Sequence, residues 1–232
     1  MIKIEKANVH YASIVAAIRG MRNPMNSWHK SDSKWVDWYH DYMIGKNDMK
    51  LATNLIKAGP EHRKFLRMIH IFMDITAPLY WWKEFDTYKV GTVANSCSTM
   101  HKITAKEFEW NDFSFDHLGV RYDDPETGDE IYENLWVDGT AKSIIYGLNQ
   151  ARDMYLRETD PYIKKQYWWQ IIQLLPTSYN QKRTVDFNYE TALTILKQRK
   201  GHKLDEWHEF RDTLLTLPYM KDFYEATESK GD

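Results

Sequence analysis

Residues 77–102, APLYWWKEFDTYKVGTVANSCSTMHK, carry the reading on which the rest of the chain depends. Ala77-Pro78 is a helix-start signal, since proline suits a first helical position, and the segment after it is dense in Trp, Tyr and charge. A helix from Leu79 to about Lys89 sets Glu84 and Tyr88 on one face, four residues apart. Thr92 to Met100 then carries no charge and mostly small side chains. Aromatic faces, fixed charges and a small-residue loop suit a flat polar ligand such as a base, nucleotide or flavin. Ser96, Ser98 and Thr99 offer hydroxyls and backbone N–H groups to a phosphate, with His101 and Lys102 as neighbouring cations. A capped loop is the plain alternative. Cys97 is expected to be a small buried side chain, and His101 is the one base near enough to activate it.

Outward from this stretch, Arg67–Thr76 alternates apolar residues at Ile69, Ile71, Met73 and Ile75, the period of a strand. Upstream, residues 2–6 alternate like a short strand, and Ala12–Arg22 reads as a helix stopped at Asn23-Pro24. Residues 25–46 have no clear period and are expected to be irregular or partly helical. Asn47 or Asp48 suits the cap of a helix over Met49–Ala58, closed by Gly59-Pro60. Downstream, 108–122 reads as loop or irregular strand and 123–129 as a turn. Helices follow over Leu135–Glu158 and Ile163–Leu175, separated by Thr159-Asp160-Pro161. A short strand at Thr184–Phe187 precedes helices over Tyr189–Lys200 and Asp205–Leu217. Strands and helices do not alternate as in a doubly wound sheet. The expectation is α+β: one domain over 1–232, a small mixed or antiparallel sheet and a helix-rich C-terminal half.

The 232 residues are enough to bury a sizeable core, and 43% apolar with 28% charged residues is a globular composition. Ten Trp and fifteen Tyr are high for this length and fit ligand stacking or subunit contact as well as core. A net charge of −2 argues against a nucleic-acid polymer as partner, while a single nucleotide needs only local cations. One cysteine excludes an internal disulfide and fits a reducing cytoplasm. No apolar run approaches 18 residues, so neither a membrane span nor an apolar signal core is expected. The nine histidines show no metal-binding spacing, and no metal is expected. His62, beside Gly59-Pro60, reads as a turn histidine, and Arg199 as a cation in a last helical turn.

Taken together, these segments resemble the flavin-dependent thymidylate synthase family over roughly residues 1–225. LATNLIKAGPEH (51–62) leads into the strand and Ala77-Pro78, as in that family, and Asn95 and Ser98 stand at the Asn and second Ser of its serine-bearing signature. Leu175-Pro176, Asn188 and Arg199 match the spacing of its late segment. Thr87-Tyr88-Lys89 stands at the family's basic triplet, Ser96 at the signature's Glu and Met100 at its final Arg.

The resemblance implies FAD as cofactor, with methylene-tetrahydrofolate and NADPH as co-substrates, and a pyrimidine nucleotide, dUMP, as substrate. It implies His62, Lys89, Asn95 and Asn188 on the flavin side. It implies Ser96, Ser98 and Lys102 on the nucleotide phosphate, Glu84 on the base, and Arg199 both holding and polarising the ring. It also implies a homotetramer. Glu84 stands in place of a family Gln, which admits another pyrimidine such as cytosine. A nucleotide-binding assembly protein without flavin is the rival from another class.

Overall fold

The chain opens with β1 (Lys3–Val9), one edge of a four-stranded sheet in the computed structural model, which describes residues 1–37, 41–133 and 136–228. In α1 (Tyr11–Arg22) the apolar side chains of Ile14, Ala17, Ile18 and Met21 recur at helical spacing and are buried. β2 (Lys34–Asp37) and β3 (Asp41–Met43) pair antiparallel, and Trp35 meets Tyr42 edge-on across the strands at 5.2 Å. Within 25–46, expected to be irregular or partly helical, these two strands are the correction; Trp28–Lys30 is a turn of 3₁₀ helix, and 38–40 lie outside the described residues.

α2 (Lys46–Lys57) is capped by neither Asn47 nor Asp48, both of which lie inside it. Its cap position is Gly45, and the Asp32 carboxylate accepts the N–H groups of Asn47 and Asp48 at 2.9 and 3.1 Å. A Cβ on Gly45 would stand 2.3 Å from that carboxylate, so glycine is required there.

β4 (His70–Pro78) buries Ile71, Met73, Ile75 and Ala77 in strict alternation. Pro78 ends this strand rather than starting a helix. α3 (Leu79–Phe85) is correspondingly shorter than expected, and Tyr88 and Lys89 lie beyond its end. Its Trp81, Trp82 and Phe85 are buried against one another, with ring centroids 4.9–5.4 Å apart. The aromatics that suggested a stacking ligand are therefore largely core.

β5 (Thr92–Ser96) forms the other sheet edge, in the order β1-β4-β8-β5. Single-turn α4 (Thr99–Lys102) follows, and Cys97 before it is exposed, against expectation. β6 (Val120–Asp123) and β7 (Glu130–Glu133) pair antiparallel around the expected turn. α5 (Val137–Arg157) and α6 (Pro161–Leu174) form a helical hairpin; the start anticipated at Leu135 lies outside the described residues. The Asp160 carboxylate accepts the Tyr162 and Ile163 N–H groups ahead of α6, as the Asp-Pro pair foretold. β8 (Asn180–Asn188) is longer than the four residues expected, and its Thr184 and Asp186 bond Asp74 and His70 of β4. α7 (Tyr189–Gln198), α8 (Asp205–Leu215) and α9 (Met220–Glu228) complete the chain, the last of them unannounced by a cap in the sequence.

These elements divide into two compact units. One comprises Met1, 76–85 and 96–182, and its core joins Phe108 and Phe113 to Leu148 and Ile171 of α5 and α6. The other comprises 2–75, 86–95 and 183–232. In this second unit Phe65 and Tyr189 meet Phe223, while Phe187 and Trp207 meet Phe210. Each such fully buried apolar side chain contributes about 1.5–3 kcal/mol by leaving water. No helix among the described residues is long and apolar enough to cross a membrane.

Candidate functional site

Within the second unit, the loop after α3 packs on the start of α7. Asn188 is the α7 cap: its Oδ1 accepts the Thr191 N–H at 3.0 Å. The Thr191 hydroxyl in turn donates to the Val90 carbonyl at 3.1 Å. Gly91 makes this approach possible. Its φ is +69°, and a Cβ there would sit 2.3 Å from the Asn188 Nδ2. The result is a cavity of about 300 Å³ between residues 87–90 and the first turns of α7, with Arg67 on its third side. Lys89 and Arg67 bring positive charge to it, Thr87, Thr191 and Thr194 bring hydroxyls, and Glu190 brings a carboxylate.

Glu190 is held from behind. Arg63 donates from both Nε and Nη2 to its Oε1, at 3.1 and 2.9 Å, and both side chains are largely buried. Its other oxygen, Oε2, is sealed from bulk water with no hydrogen-bond partner among the described residues.

Tyr88, on the same cavity wall, connects to Arg199. Its hydroxyl accepts the Arg199 Nε at 2.9 Å and donates to the Gln198 side chain at 3.1 Å. The guanidinium lies over the Trp207 ring, 4.5 Å from its centroid, and Nη1 donates to His202 Nε2 at 3.1 Å. Arg199 is thus fixed beside the cavity wall by planar stacking and directed hydrogen bonds, which a lysine would not reproduce.

Neither family models nor curated relatives match the sequence. Solved structures do. Thymidylate synthase X from Helicobacter pylori, crystallised with FAD and dUMP, superimposes with a TM-score of 0.61 over 98% of each chain at 13% identity. A UMP/dUMP methylase from Streptomyces cacaoi, bound to 5-Br UMP, gives 0.56 over 100% of this chain and 94% of that one at 14% identity. This chain has the flavin-dependent thymidylate synthase fold.

On that fold the residues implied by the resemblance do not all converge. Lys89 and Asn188 share the cavity just described. His62 lines a different one, about 520 Å³, whose walls are Met21, Met25, Leu55, Phe65 and Met68, with Glu61 and Lys64 also on its lining. Asn95 and Ser96 are exposed on β5, an edge strand with four of its five residues exposed. In the first unit Ser98 caps α4, its hydroxyl accepting the His101 N–H at 3.1 Å, and Lys102 is exposed on the same turn. Glu84 is half-buried in the last turn of α3. Among the described residues no group of three His, Cys, Asp or Glu is arranged to hold a metal.

Arg67, Glu190 and Thr194 line the cavity, and sequence reasoning passed over them. An acidic residue in a first helical turn is favoured by the helix dipole alone, so Glu190 carried no distinct signal. Arg67 fell at the start of an expected strand, while the structure places it in a turn of 3₁₀ helix ahead of β4.

Proposed function

We propose that this protein binds a pyrimidine nucleotide and transfers a one-carbon unit to C5 of its base, with FAD as its bound cofactor. The observation that carries the reading is a coincidence. The cavity between the 87–90 loop and α7 forms where the resemblance puts the flavin side, on a chain whose fold matches an FAD- and dUMP-bound enzyme end to end. The lining fits part of such a cofactor. Arg67 and Lys89 offer the positive charge a phosphate needs, Asn188 and the threonines offer further polar groups, and Glu190 offers an acceptor for a ring N–H. At about 300 Å³ the cavity suits a phosphate with one ring system, one end of the dinucleotide rather than all of it.

When bound, FAD supplies hydride, and methylene-tetrahydrofolate and NADPH are the proposed sources of the one-carbon unit and of electrons. Arg199, pinned by Tyr88 and Trp207, is the proposed group that holds the pyrimidine ring and stabilises negative charge developing on it. Glu84 is proposed to face the base. Ser96, Ser98 and Lys102 are proposed to meet the nucleotide phosphate, and His62 and Asn95 the flavin. The uncovered β5 edge supports a homotetramer whose copies complete one another's sites.

Reconstitution of the purified chain with FAD tests the cofactor, read by retained flavin absorbance after desalting. A protein that stays colourless removes the flavin from the reading. Proton release from C5 of dUMP, run beside dCMP, then tests the chemistry and chooses the base. Release from neither substrate by the flavin-loaded protein refutes the transferase.

A further inference from the structure

The Glu190 carboxylate stands apart from the rest of its cavity. Every other polar group lining it is a cation, a hydroxyl or an amide, suited to a phosphate, yet one wall is an anion. That anion is half-finished: Arg63 directs Nε and Nη2 at Oε1, and Oε2 is buried with no donor among the described residues. A buried unpaired carboxylate oxygen is costly, and such groups in folded proteins mark a missing partner. Water does not reach it, and Arg63 already faces the other oxygen. The last torsion of a glutamate is soft, so a small turn of the carboxyl would offer Oε2 to a donor in the cavity.

We infer that Glu190 Oε2 is the acceptor for an exocyclic amine on the ring of the bound nucleotide, while Arg67 and Lys89 take its phosphate. This rests on reading the cavity as a nucleotide site. The chemistry comes from two sources, the adenine of a dinucleotide cofactor or a cytosine nucleotide substrate. A carboxylate accepts from the amine of either, and rejects a carbonyl at that position because two acceptors then face each other.

Isothermal titration of the full chain separates these cases. The probes are ADP against purine riboside 5′-diphosphate, dCMP against dUMP, and inorganic pyrophosphate. The wild-type protein is expected to bind ADP or dCMP about tenfold more tightly than its partner without the amine, the size of one charge-assisted hydrogen bond. Preference for ADP assigns the amine to the cofactor, and preference for dCMP assigns it to the substrate. Glu190→Gln keeps an oxygen for Arg63 and presents an N–H in place of Oε2. It should erase the tenfold preference while pyrophosphate binds as well or better, because a negative charge is gone. A wild-type protein that binds nucleotides without preferring the amine overturns the inference alone, as does a preference that survives in Glu190→Gln. A wild-type protein that binds none of the nucleotides overturns the inference together with the nucleotide reading. The wild-type comparison stands even if the variant does not fold.

Discussion

Arg22–Asp48 and Arg63–Glu190 are both arginine–carboxylate pairs of the same unit, and they differ in what surrounds the carboxylate. Asp48 is fully buried: Arg22 donates to Oδ1, and Oδ2 accepts the Ser31 and Ser33 hydroxyls and the Asp32 and Ser33 N–H groups. No capacity is left for anything else. Glu190 receives Arg63 on one oxygen and nothing on the other, in the wall of a cavity. A saturated buried network fixes a fold and is expensive to break. A half-saturated one at a cavity costs the fold something and leaves chemistry for a ligand.

The largest expected effect breaks the saturated side. Asp48→Asn removes the charge opposite buried Arg22 and turns an acceptor into a donor that faces donors. It should destabilise the protein by about 3–5 kcal/mol, measured by urea unfolding at neutral pH. Acid gives a second readout. Burial alone raises the Asp48 pKa, but hydrogen bonds from Ser33, Ser31 and Arg22 and the Arg22 charge outweigh it, so the carboxyl titrates below its ordinary value. A depressed folded pKa contributes stability above the unfolded value of about 3.9, and that contribution is lost as pH falls through the folded one. The gap between wild type and Asp48→Asn should therefore narrow below about pH 4. A gap that stays constant there would show that the charge of Asp48 is not what matters.

Next in size is Gly91→Ala, which attacks the cavity rather than the pair behind it. An alanine at φ +69° is strained by about 1–2 kcal/mol, and its Cβ would displace the Asn188 amide. A modest stability loss with a large loss of FAD or nucleotide affinity is expected, by thermal unfolding and titration on the same preparation. Intact affinity would detach the cavity from the site. Arg199→Ala gives up the Tyr88 hydrogen bond and the Trp207 stacking, about 1–2 kcal/mol, and should abolish nucleotide binding in a protein that still folds. Arg199→Lys should restore charge without restoring binding, since it cannot stack and donate in the same plane. If both variants bind as wild type does, Arg199 only closes the end of α7.

The two pairs were not equally legible in the sequence, nor was either read in full. Helices whose stability is local announced themselves: Ala12–Arg22, stopped at Asn23-Pro24, the Asp160-Pro161 start of α6, and the helix from Tyr189. The β2–β3 pair did not, because Asp48 holds the chain ahead of it through donors on Ser31, Asp32 and Ser33, which no periodicity encodes. Ala77-Pro78 was misread because β4 keeps its buried alternation through Ala77, and a proline ends a strand as readily as it starts a helix. In the cavity, Lys89 and Asn188 came from resemblance, whereas Arg67 and Glu190 became visible only when the fold brought the turn before β4 beside α7.

The smallest expected stability change sharpens the comparison most. Glu190→Gln is the same chemical replacement as Asp48→Asn, carboxylate to carboxamide beside an arginine. At Glu190 the amide oxygen stays with Arg63, and the new N–H₂ occupies a position that faced no donor. No donor–donor clash is created, Arg63 keeps its hydrogen bonds to the amide oxygen, and the cost of a buried carboxylate oxygen without a donor is relieved. The change should stay within about 1 kcal/mol of wild type by urea unfolding, several-fold below the effect at Asp48. Equal losses at the two positions would mean that Oε2 has a partner in the folded protein and that Glu190 belongs to the framework, as Asp48 does.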